Sequence, residues 1–469
     1  MTEKIVISTN QDETCMALLD ENKLVEYVVE RNNNQNLVGN IYKGRVSNVV
    51  KGIQSAFIDI GLELNAFLYL GKKIDVTEGQ AVLVQITKDA RGVKGPTAVR
   101  EFTIPGRYAV FLPYTNSIRF SKRITNKEER KRLEAIVSEN KPEGSGFVLR
   151  TIAEGIDKEI LNEDIKQLVS TWKIIQARKK VGKAPQLLYR ELDLTVRVVR
   201  EYLNQNIETI TIDNKVVYDR IKELLGSESK ELVNKVKFYN GKENIFTYFN
   251  CHEQINGITD RKVELPSGGY LIIDYTEAMT VIDVNTGAYK GSSNLEETVT
   301  LTNKEAAIEI ARQLRLRDIG GIVVVDFIDM HTEEHKKEIL NTLHETMQKD
   351  KMKPKIQDIT ALNLIEITRK KARQNLNTVL YSTCPVCQGS GRIQSPETIS
   401  IEIKNRLRSV FSKKNAAKSI LLEVHPFVAS WFINKELKSI ERELSCDITV
   451  VENASLQEEN FSILDNSNS

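Results

Sequence analysis

The chain has 469 residues, 41% hydrophobic and 28% charged, which is the composition of a soluble globular protein of about two to four domains. Its 66 lysines and arginines nearly balance 64 acidic residues, so the net charge of +2 excludes a polyanion partner held by overall charge; any nucleic-acid surface must be local. An apolar run of about 18 residues and a signal-peptide layout are both missing, which favours a cytoplasmic protein without a membrane span.

The first patterned region runs from about residue 36 to residue 100. Short strand-like runs such as SAFIDIG and NAFLYL alternate there with glycine turns and predict a small β-barrel. Phe57 and Phe67 follow small residues in these runs, and Lys88 and Lys94 add positive charge. Rings that stack on bases, beside lysines that follow phosphates, are typical of single-strand binding. A phenylalanine in a strand is more often a core residue, so both roles stay open.

The middle of the chain is mixed. An amphipathic helix is predicted where apolar residues recur at three-to-four-residue spacing: Leu161, Ile165, Leu168, Trp172 and Ile175. From about residue 190 to residue 260, helical patterns alternate with short strands such as IETITID.

Between residues 262 and 367 the pattern sharpens. The predicted strands are YLIIDYT, AMTVIDVNTG, GIVVVDFIDM and ALNLIEITR. A helix over about 303–317 lies between the second and third, and Thr302 with Glu305 forms a capping-box pattern at its start. This alternation predicts an α/β domain with a mostly buried sheet. SPETIS then reads as a linker before a small α+β unit.

Two of these strands carry aspartates. Asp326 interrupts an apolar run, where an unpaired charge costs several kcal/mol, and Asp283 ends another and is followed by Asn285. Two neighbouring carboxylates repel unless a divalent cation such as Mg²⁺ or Mn²⁺ binds both, and such an ion supports phosphodiester hydrolysis. Alternatively, each aspartate caps a turn or pairs with an arginine. Asp329 is a weaker third candidate.

Five cysteines include one close pair, Cys384 and Cys387, in CPVCQGSGR. Structural zinc needs four ligands, and two can come from each of two chains across a twofold interface. A redox dithiol is the rival, although the preceding basic helix differs from a thioredoxin-like setting. His425 lies in an apolar segment and is expected to be structural.

Together these motifs resemble the ribonuclease E/G family, and within it the shorter, ribonuclease G-like members. The resemblance rests on GNIYKGRVSNVVKGIQSAFIDIG, EAMTVIDVNTG, EIARQLRLRDIGGIVVVDFIDM and CPVCQGSGR. It covers nearly the whole chain and is weakest near the C-terminus.

The resemblance implies an α+β multidomain fold. Its expected parts are an interrupted RNase H-like subdomain (1–35 with 195–260), an inserted OB-fold β-barrel of the ribosomal-protein-S1 type that binds RNA (36–100), a 5′-sensor region (101–194), a DNase I-like α/β catalytic subdomain (261–380), a zinc link (381–394) and a small C-terminal α+β oligomerisation domain (395–469).

The family's functional residues also fall on this sequence. The resemblance implies that Asp283 and Asp326 bind catalytic Mg²⁺ with help from Asn285. It further implies base stacking by Phe57 and Phe67, backbone contacts by Lys88 and Lys94, zinc binding by Cys384 and Cys387, and a 5′-monophosphate pocket at Gly106, Val110, Arg150, Thr151 and Lys355. Lys355 replaces an arginine, so it keeps the charge and loses the planar fork.

The implied activity is Mg²⁺-dependent, single-strand-specific endoribonucleolytic cleavage that leaves 5′-phosphate and 3′-hydroxyl ends and favours 5′-monophosphorylated RNA. Ribosomal-RNA maturation and messenger-RNA turnover are the expected processes. The expected assembly is a homodimer or homotetramer through the zinc link, without a membrane anchor or degradosome scaffold. Two alternatives remain: a non-catalytic RNA-binding assembly protein, and a metal-dependent DNA nuclease or other phosphodiesterase.

Overall fold

The computed structural model describes residues 3–31, 37–71, 75–90, 94–191, 193–203, 206–226, 230–287, 295–360, 362–371, 375–413 and 419–465. The chain divides into two compact units, Met1–Val379 and Leu380–Ser469. Among the helices within these ranges, none combines the length and apolar character needed to cross a bilayer.

The first unit opens with three antiparallel strands: β1 (Glu3–Thr9), β2 (Glu13–Asp20) and β3 (Lys23–Arg31). Ile5, Val6 and Ile7 are consecutive in β1 and all fully buried. Since side chains alternate between the faces of a strand, this strand is covered on both sides.

A closed barrel follows, built from β4 (Ile41–Val50), β5 (Ser55–Asp59), β6 (Ala66–Tyr69), β7 (Ala81–Lys88) and β8 (Thr97–Val99). The strand order is β4-β5-β6-β8-β7, and β7 pairs back onto β4. Gly44 is required inside this barrel, because a Cβ there would lie 2.3 Å from Cγ2 of Ile58. The predicted barrel is therefore present and closed.

The next segment forms a four-stranded sheet and two long helices. Its elements are β9 (Ile104–Pro105), β10 (Ala109–Leu112), β11 (Ile118–Phe120), α1 (Lys127–Asn140), β12 (Gly146–Leu149), α2 (Lys158–Val181) and β13 (Gln186–Tyr189). The predicted amphipathic helix is α2, whose apolar positions pack against this sheet. β13 pairs with β4 and so extends the barrel.

The chain then returns to the first sheet. This stretch contains α3 (Leu194–Glu201), β14 (Ile207–Ile212), α4 (Lys215–Gly226), α5 (Lys230–Asn234), β15 (Val236–Phe238), α6 (Ile245–Tyr248) and α7 (His252–Asn256). β14 runs parallel to β1, and the sheet order is β15-β14-β1-β2-β3. One sheet is thus built from two stretches of chain that flank the barrel.

The last part of the first unit is a six-stranded sheet of order β16-β17-β18-β19-β21-β20. Its elements are β16 (Lys262–Glu264), β17 (Tyr270–Tyr275), β18 (Met279–Asn285), α8 (Leu295–Leu316), β19 (Gly321–Asp326), α9 (Glu333–Met347), β20 (Lys355–Ile356), β21 (Leu364–Arg369) and α10 (Leu376–Leu380). All four predicted strands are present, and β18 and β19 are parallel neighbours.

Two expectations for this region are wrong. The helix is already formed at Leu295, so Thr302 lies inside it, where its hydroxyl donates to the carbonyl of Thr298 at 3.0 Å and does not cap a terminus. The sheet is also buried on one face only. Ile322 is 49% exposed and Met279 38% exposed, because α8 and α9 both pack in the core on the opposite face.

The second unit is a small α+β fold with a three-stranded sheet. It contains α11 (Pro396–Lys413), β22 (Ser419–Val424), α12 (Pro426–Lys435), α13 (Leu437–Leu444), β23 (Asp447–Glu452) and β24 (Phe461–Asp465). β22 and β23 are parallel across α12 and α13.

Two short segments of this unit also have clear local roles. The predicted linker SPETIS instead starts α11, where the Ser395 hydroxyl accepts from the N–H of Thr398. His425 caps α12, since its Nδ1 accepts from the N–H of Phe427 at 3.2 Å, which is a structural role as expected.

Candidate active site

Two aspartates stand opposite each other at the centre of the six-stranded sheet. The register of β18 and β19 pairs Asp283 directly with Asp326, and both side chains are exposed. The residues before them, Ile282 and Val325, are fully buried on the other face. Asp326 is the last residue of β19, so its charge lies at the end of the strand on the open face, and not within a buried strand.

The electrostatics of this pair favour a bound cation. Loss of surrounding water raises the pKa of Asp326, and the negative charges of Asp283 and Asp329 raise it further. The amide of Asn285 donates to Oδ2 of Asp283 at 2.8 Å, so both side chains lie on the same face of β18. Like charges directly opposed on neighbouring strands destabilise a sheet, and a divalent ion removes that conflict.

The loop that follows Asp326 is held by residues that the sequence reasoning missed. Asn303 of α8 is fully buried, and its side-chain amide donates to the carbonyl of Ile328 at 2.8 Å while its Oδ1 accepts from the N–H of Ile328 at 3.1 Å. Asn363 donates to Oδ1 of Asp329 at 3.0 Å. The signal available in the sequence was a polar amide on the apolar face of a helix.

The composition of this site limits how a metal could bind. Across the described parts of the chain, no group of three or more His, Cys, Asp or Glu residues is arranged to hold a metal ion. Two exposed carboxylates fit Mg²⁺ nonetheless, because Mg²⁺ is commonly held by one or two carboxylates and keeps several waters.

On the barrel, the two predicted phenylalanines point outward. Phe57 pairs with Phe67 across β5 and β6, both are half-buried, and their ring centroids lie 6.0 Å apart in an edge-to-face arrangement. The adjacent residues Ala56, Ile58 and Leu68 fill the barrel core instead. The core role that remained possible for these rings is therefore wrong.

A continuous row of outward positions crosses four strand pairs through these rings. The register gives the order Lys88, Thr97, Phe67, Phe57 and Asn48. Lys88 and Asn48 are exposed at its ends. The row joins a positive charge, two aromatic rings and a polar amide, a combination found on platforms for single-stranded nucleic acid.

Lys94 is not among the paired positions that define this row. It is exposed just before Gly95, and a Cβ at Gly95 would meet the carbonyl oxygen of Asn65 at 2.0 Å. The glycine thus allows the segment that carries Lys94 to pack closely against the barrel.

Four of the five proposed sensor residues gather on the sheet of β9, β10 and β12. Nη1 of Arg150 donates to the carbonyl of Gly106 at 3.0 Å, and burial lowers the pKa of Arg150. Thr151 is exposed and its hydroxyl lies 2.7 Å from that of Ser121. Val110 is half-buried in β10.

Lys355 belongs to a different sheet, in β20, where it is exposed. The guanidinium of Arg123, in the sensor segment, donates from Nη2 to the carbonyl of Gln348 at 3.3 Å and so links the two regions. Lys355 is therefore on the six-stranded sheet, whereas the other four residues belong to the sheet of β9, β10 and β12 or the turns beside it.

Near Arg150, the carboxylate of Asp164 already accepts hydrogen bonds from three consecutive backbone N–H groups. Asp164 accepts from the N–H groups of Arg107, Tyr108 and Ala109 at 3.0 to 3.1 Å. Burial raises the pKa of Asp164, and these three N–H groups oppose the shift. An anion bound beside Arg150 therefore cannot use those three N–H groups while Asp164 holds them.

In the second unit, Cys384 and Cys387 lie on a tight turn. The N–H of Gln388 donates to the carbonyl of Cys384 at 2.9 Å, and the N–H of Ser390 donates to that of Cys387 at 2.8 Å. The N–H groups of Gly389 and Gly391, together with the Cys384 side chain, lower the pKa of Cys387. A lowered pKa favours the thiolate form that binds metal.

Fold and site define a multidomain α+β protein with an acidic pair on an open sheet and a separate closed barrel. The chain belongs to the Ribonuclease E/G family, whose profile matches residues 103–372. A second profile, described as the RNase E/G thioredoxin-like domain, matches residues 383–466.

Curated relatives agree with this membership. The chain is 38% identical over 461 residues to Ribonuclease G of Escherichia coli K12, covering 94% of each protein, and 38% identical over 454 residues to Ribonuclease G of Haemophilus influenzae, covering 92% of each. It is 34% identical over 488 residues to Ribonuclease E of Haemophilus influenzae, of which the alignment covers 52%. The resemblance to ribonuclease G-like members is thus confirmed.

The thioredoxin-like match refines the interpretation of the cysteines. The second unit does contain a β-α-β arrangement, from β22 to β23. The cysteine pair nevertheless precedes α11 in the chain and does not follow a strand of that sheet. The similarity therefore concerns the fold, and it does not place the dithiol where a thioredoxin-type redox site would lie.

Proposed function

We propose that this protein is a metal-dependent endoribonuclease that cleaves single-stranded RNA and leaves 5′-phosphate and 3′-hydroxyl ends. The observation that carries the proposal is the direct opposition of Asp283 and Asp326 on an exposed sheet face. Relatives named Ribonuclease G and Ribonuclease E support RNA as the substrate. The proposed processes are ribosomal-RNA maturation and messenger-RNA turnover.

In this mechanism Asp283 and Asp326 would hold Mg²⁺, and Asn285 fixes the Asp283 carboxylate through its 2.8 Å hydrogen bond. When bound there, the ion would supply an activated water and positive charge for a phosphoryl oxygen. The buried apolar residues that alternate with the acids keep both strands in register, so the two carboxylates are positioned before substrate arrives. Phe57 and Phe67 stack bases, and Lys88 and Lys94 contact the backbone.

The test is cleavage of one short AU-rich RNA by the full chain with and without Mg²⁺. Asp283→Asn and Asp326→Asn should each abolish cleavage while RNA affinity stays within about twofold, because the barrel is unchanged. Glu366→Gln is the matched control, since Glu366 is exposed on the same sheet face in β21 and should leave cleavage intact.

Three outcomes decide among the function classes. Full activity in either aspartate variant would exclude the metal site. RNA binding by the wild type without any Mg²⁺-dependent cleavage would favour the non-catalytic assembly protein. Equal cleavage of an all-DNA strand of the same sequence would favour a general phosphodiesterase.

We also propose that Arg150 and Thr151, with Gly106 and Val110, bind a 5′-monophosphate, and that Lys355 adds charge to that end of the substrate. The support is the Arg150–Gly106 contact and the exposed Thr151 hydroxyl. Thr151→Ala should reduce the rate advantage of 5′-phosphorylated over 5′-hydroxyl RNA without changing the 5′-hydroxyl rate. An unchanged ratio would contradict this role.

For Cys384 and Cys387 the proposal is zinc shared by two chains in a homodimer or homotetramer. The lowered pKa of Cys387 and the tight turn support thiolate ligands. Metal analysis should give about half a zinc per chain, and Cys384→Ser should lose zinc and lower the oligomeric state. One zinc per chain in a monomer would contradict the shared site.

The subdomains follow the same proposal. The first sheet with its flanking helices is proposed as the RNase H-like part, the barrel as an S1-type OB fold, the sheet of β9–β12 as the 5′-sensor region and the six-stranded sheet as the DNase I-like part. Proposed partners are ribosomal-RNA precursors, messenger RNA and further copies of the chain.

A further inference from the structure

An aromatic residue that the family signature did not mark is exposed at the end of β6. Tyr69 is 63% exposed, and Ile53, in the turn that precedes β5, is 54% exposed. The Tyr69 hydroxyl donates to Oε1 of Gln54, the residue after Ile53, at 3.2 Å. The backbone beside it is also fixed, since the N–H of Leu70 donates to the carbonyl of Gln54 at 2.8 Å.

The position of Tyr69 relates it to the row of outward residues. Tyr69 lies two residues after Phe67 in the same strand, so both side chains leave the same face of β6, about 6.7 Å apart along the strand. Phe67 in turn pairs with Phe57 across the strands. Three aromatic rings therefore share one outer surface of the barrel.

Lysines at both ends of this aromatic surface could contact the phosphates of a bound nucleic acid. Lys88 lies at one end of the row, and Lys51, which is exposed, lies in the same turn as Ile53 near Tyr69. A lone exposed aromatic residue needs no explanation. Tyr69, however, is held by a hydrogen bond, lies beside the two rings of Phe57 and Phe67, and is flanked by lysines. This combination is typical of a base-stacking platform.

We propose that Tyr69 stacks one further base of single-stranded RNA, next to the base on Phe67, and so lengthens the bound track by one nucleotide. The inference rests on the proposed function of the barrel. The contact tolerates any base, because every base presents a π-face. Tyr69 is accordingly a substrate-positioning residue for the strand and takes no part in the chemistry at Asp283 and Asp326.

The test uses 2′-O-methyl oligonucleotides, which resist cleavage, with 2-aminopurine at one position at a time. Tyr69→Ala should weaken binding about 5- to 150-fold and restore 2-aminopurine fluorescence at a single position. That position should be adjacent to the one restored by Phe67→Ala. Tyr69→Phe keeps the ring and loses the bond to Gln54, and it should bind like the wild type.

The control is Tyr114→Ala, which removes a 49% exposed tyrosine from the turn after β10, outside the barrel, and should not change fluorescence at any position. If Phe67→Ala weakens binding but Tyr69→Ala does not, the role of Tyr69 is overturned while the proposed function of the barrel stands. No effect of either variant would instead reject the barrel's role in the proposed function. Equal loss in Tyr69→Phe and Tyr69→Ala would overturn stacking in favour of the hydroxyl contact.

Discussion

The opposed carboxylates predict an unusual response to Asp326→Asn: a small gain of stability without metal. Neighbouring strands lie about 4.8 Å apart, so directly paired carboxylates sit about 5 Å apart. At that distance in water the repulsion is about 0.8 kcal/mol, and salt at 0.15 M reduces it to about 0.4 kcal/mol. Removing one charge should therefore stabilise the metal-free protein by about 0.4 to 0.8 kcal/mol.

The sign of the pH dependence follows from the raised pKa of Asp326. A carboxyl whose folded pKa is raised makes the folded wild type less stable as the pH rises through that pKa. The variant should thus be more stable than the wild type at pH 8, and the difference should vanish on acidification as Asp326 takes up a proton.

Mg²⁺ should reverse the order of the two proteins. At about 100 times its dissociation constant, a ligand of the folded state stabilises it by about 2.7 kcal/mol, and Asp326→Asn should lose most of that gain. The assay is thermal unfolding at pH 5 and pH 8 with and without Mg²⁺, with Glu366→Gln as control. An equal Mg²⁺ gain in Asp326→Asn, or a lower stability of the metal-free variant, would refute the reasoning.

Two further predictions concern residues behind the open face. Asn303→Ala removes both side-chain hydrogen bonds to Ile328. It should lower kcat and raise the Mg²⁺ concentration needed for half-maximal cleavage, while RNA affinity stays unchanged. A change in stability alone would limit Asn303 to a structural role. Asp350→Ala removes the 2.7 Å partner of the Arg369 guanidinium, which is 4% exposed and keeps Asp318 at 2.8 Å. The loss should be about 1.5 to 3 kcal/mol in chemical denaturation, and a loss below about 1 kcal/mol would contradict this.

Strand periodicity predicted much of this fold because it reflects burial directly. The barrel strands and the four strands around the acids follow from apolar runs and glycine turns, and the two aspartates followed from their places at strand ends. Which face of the six-stranded sheet is covered could not be predicted, since it depends on α8 and α9 packing on the same side. Strands buried on one face or both can carry similar apolar runs.

Errors at helix boundaries have a physical cause as well. Thr298 and Thr302 have modest helix propensity, so a helix end was a plausible prediction there. In the structure both residues are buried by tertiary packing, and the helix α8 continues through them. The hydrogen-bond partners of Asn303 and Tyr69 lie in other segments of the chain, at Ile328 and Gln54. A local pattern can mark Asn303 as an unusual polar residue on an apolar helix face, but it cannot identify either partner.

The interrupted first sheet has a consequence for synthesis of the chain on the ribosome. β1 needs β14 as its parallel partner, and after Arg31 at the end of β3 the ribosome must add 176 residues (207 minus 31) to reach Ile207 at the start of β14. At 5–20 residues per second, that wait is roughly 9 to 35 s. The barrel closes through contacts within residues 41–99 and can complete earlier. During translation the inserted domain is therefore finished first, while its host sheet still has an open edge beside β1.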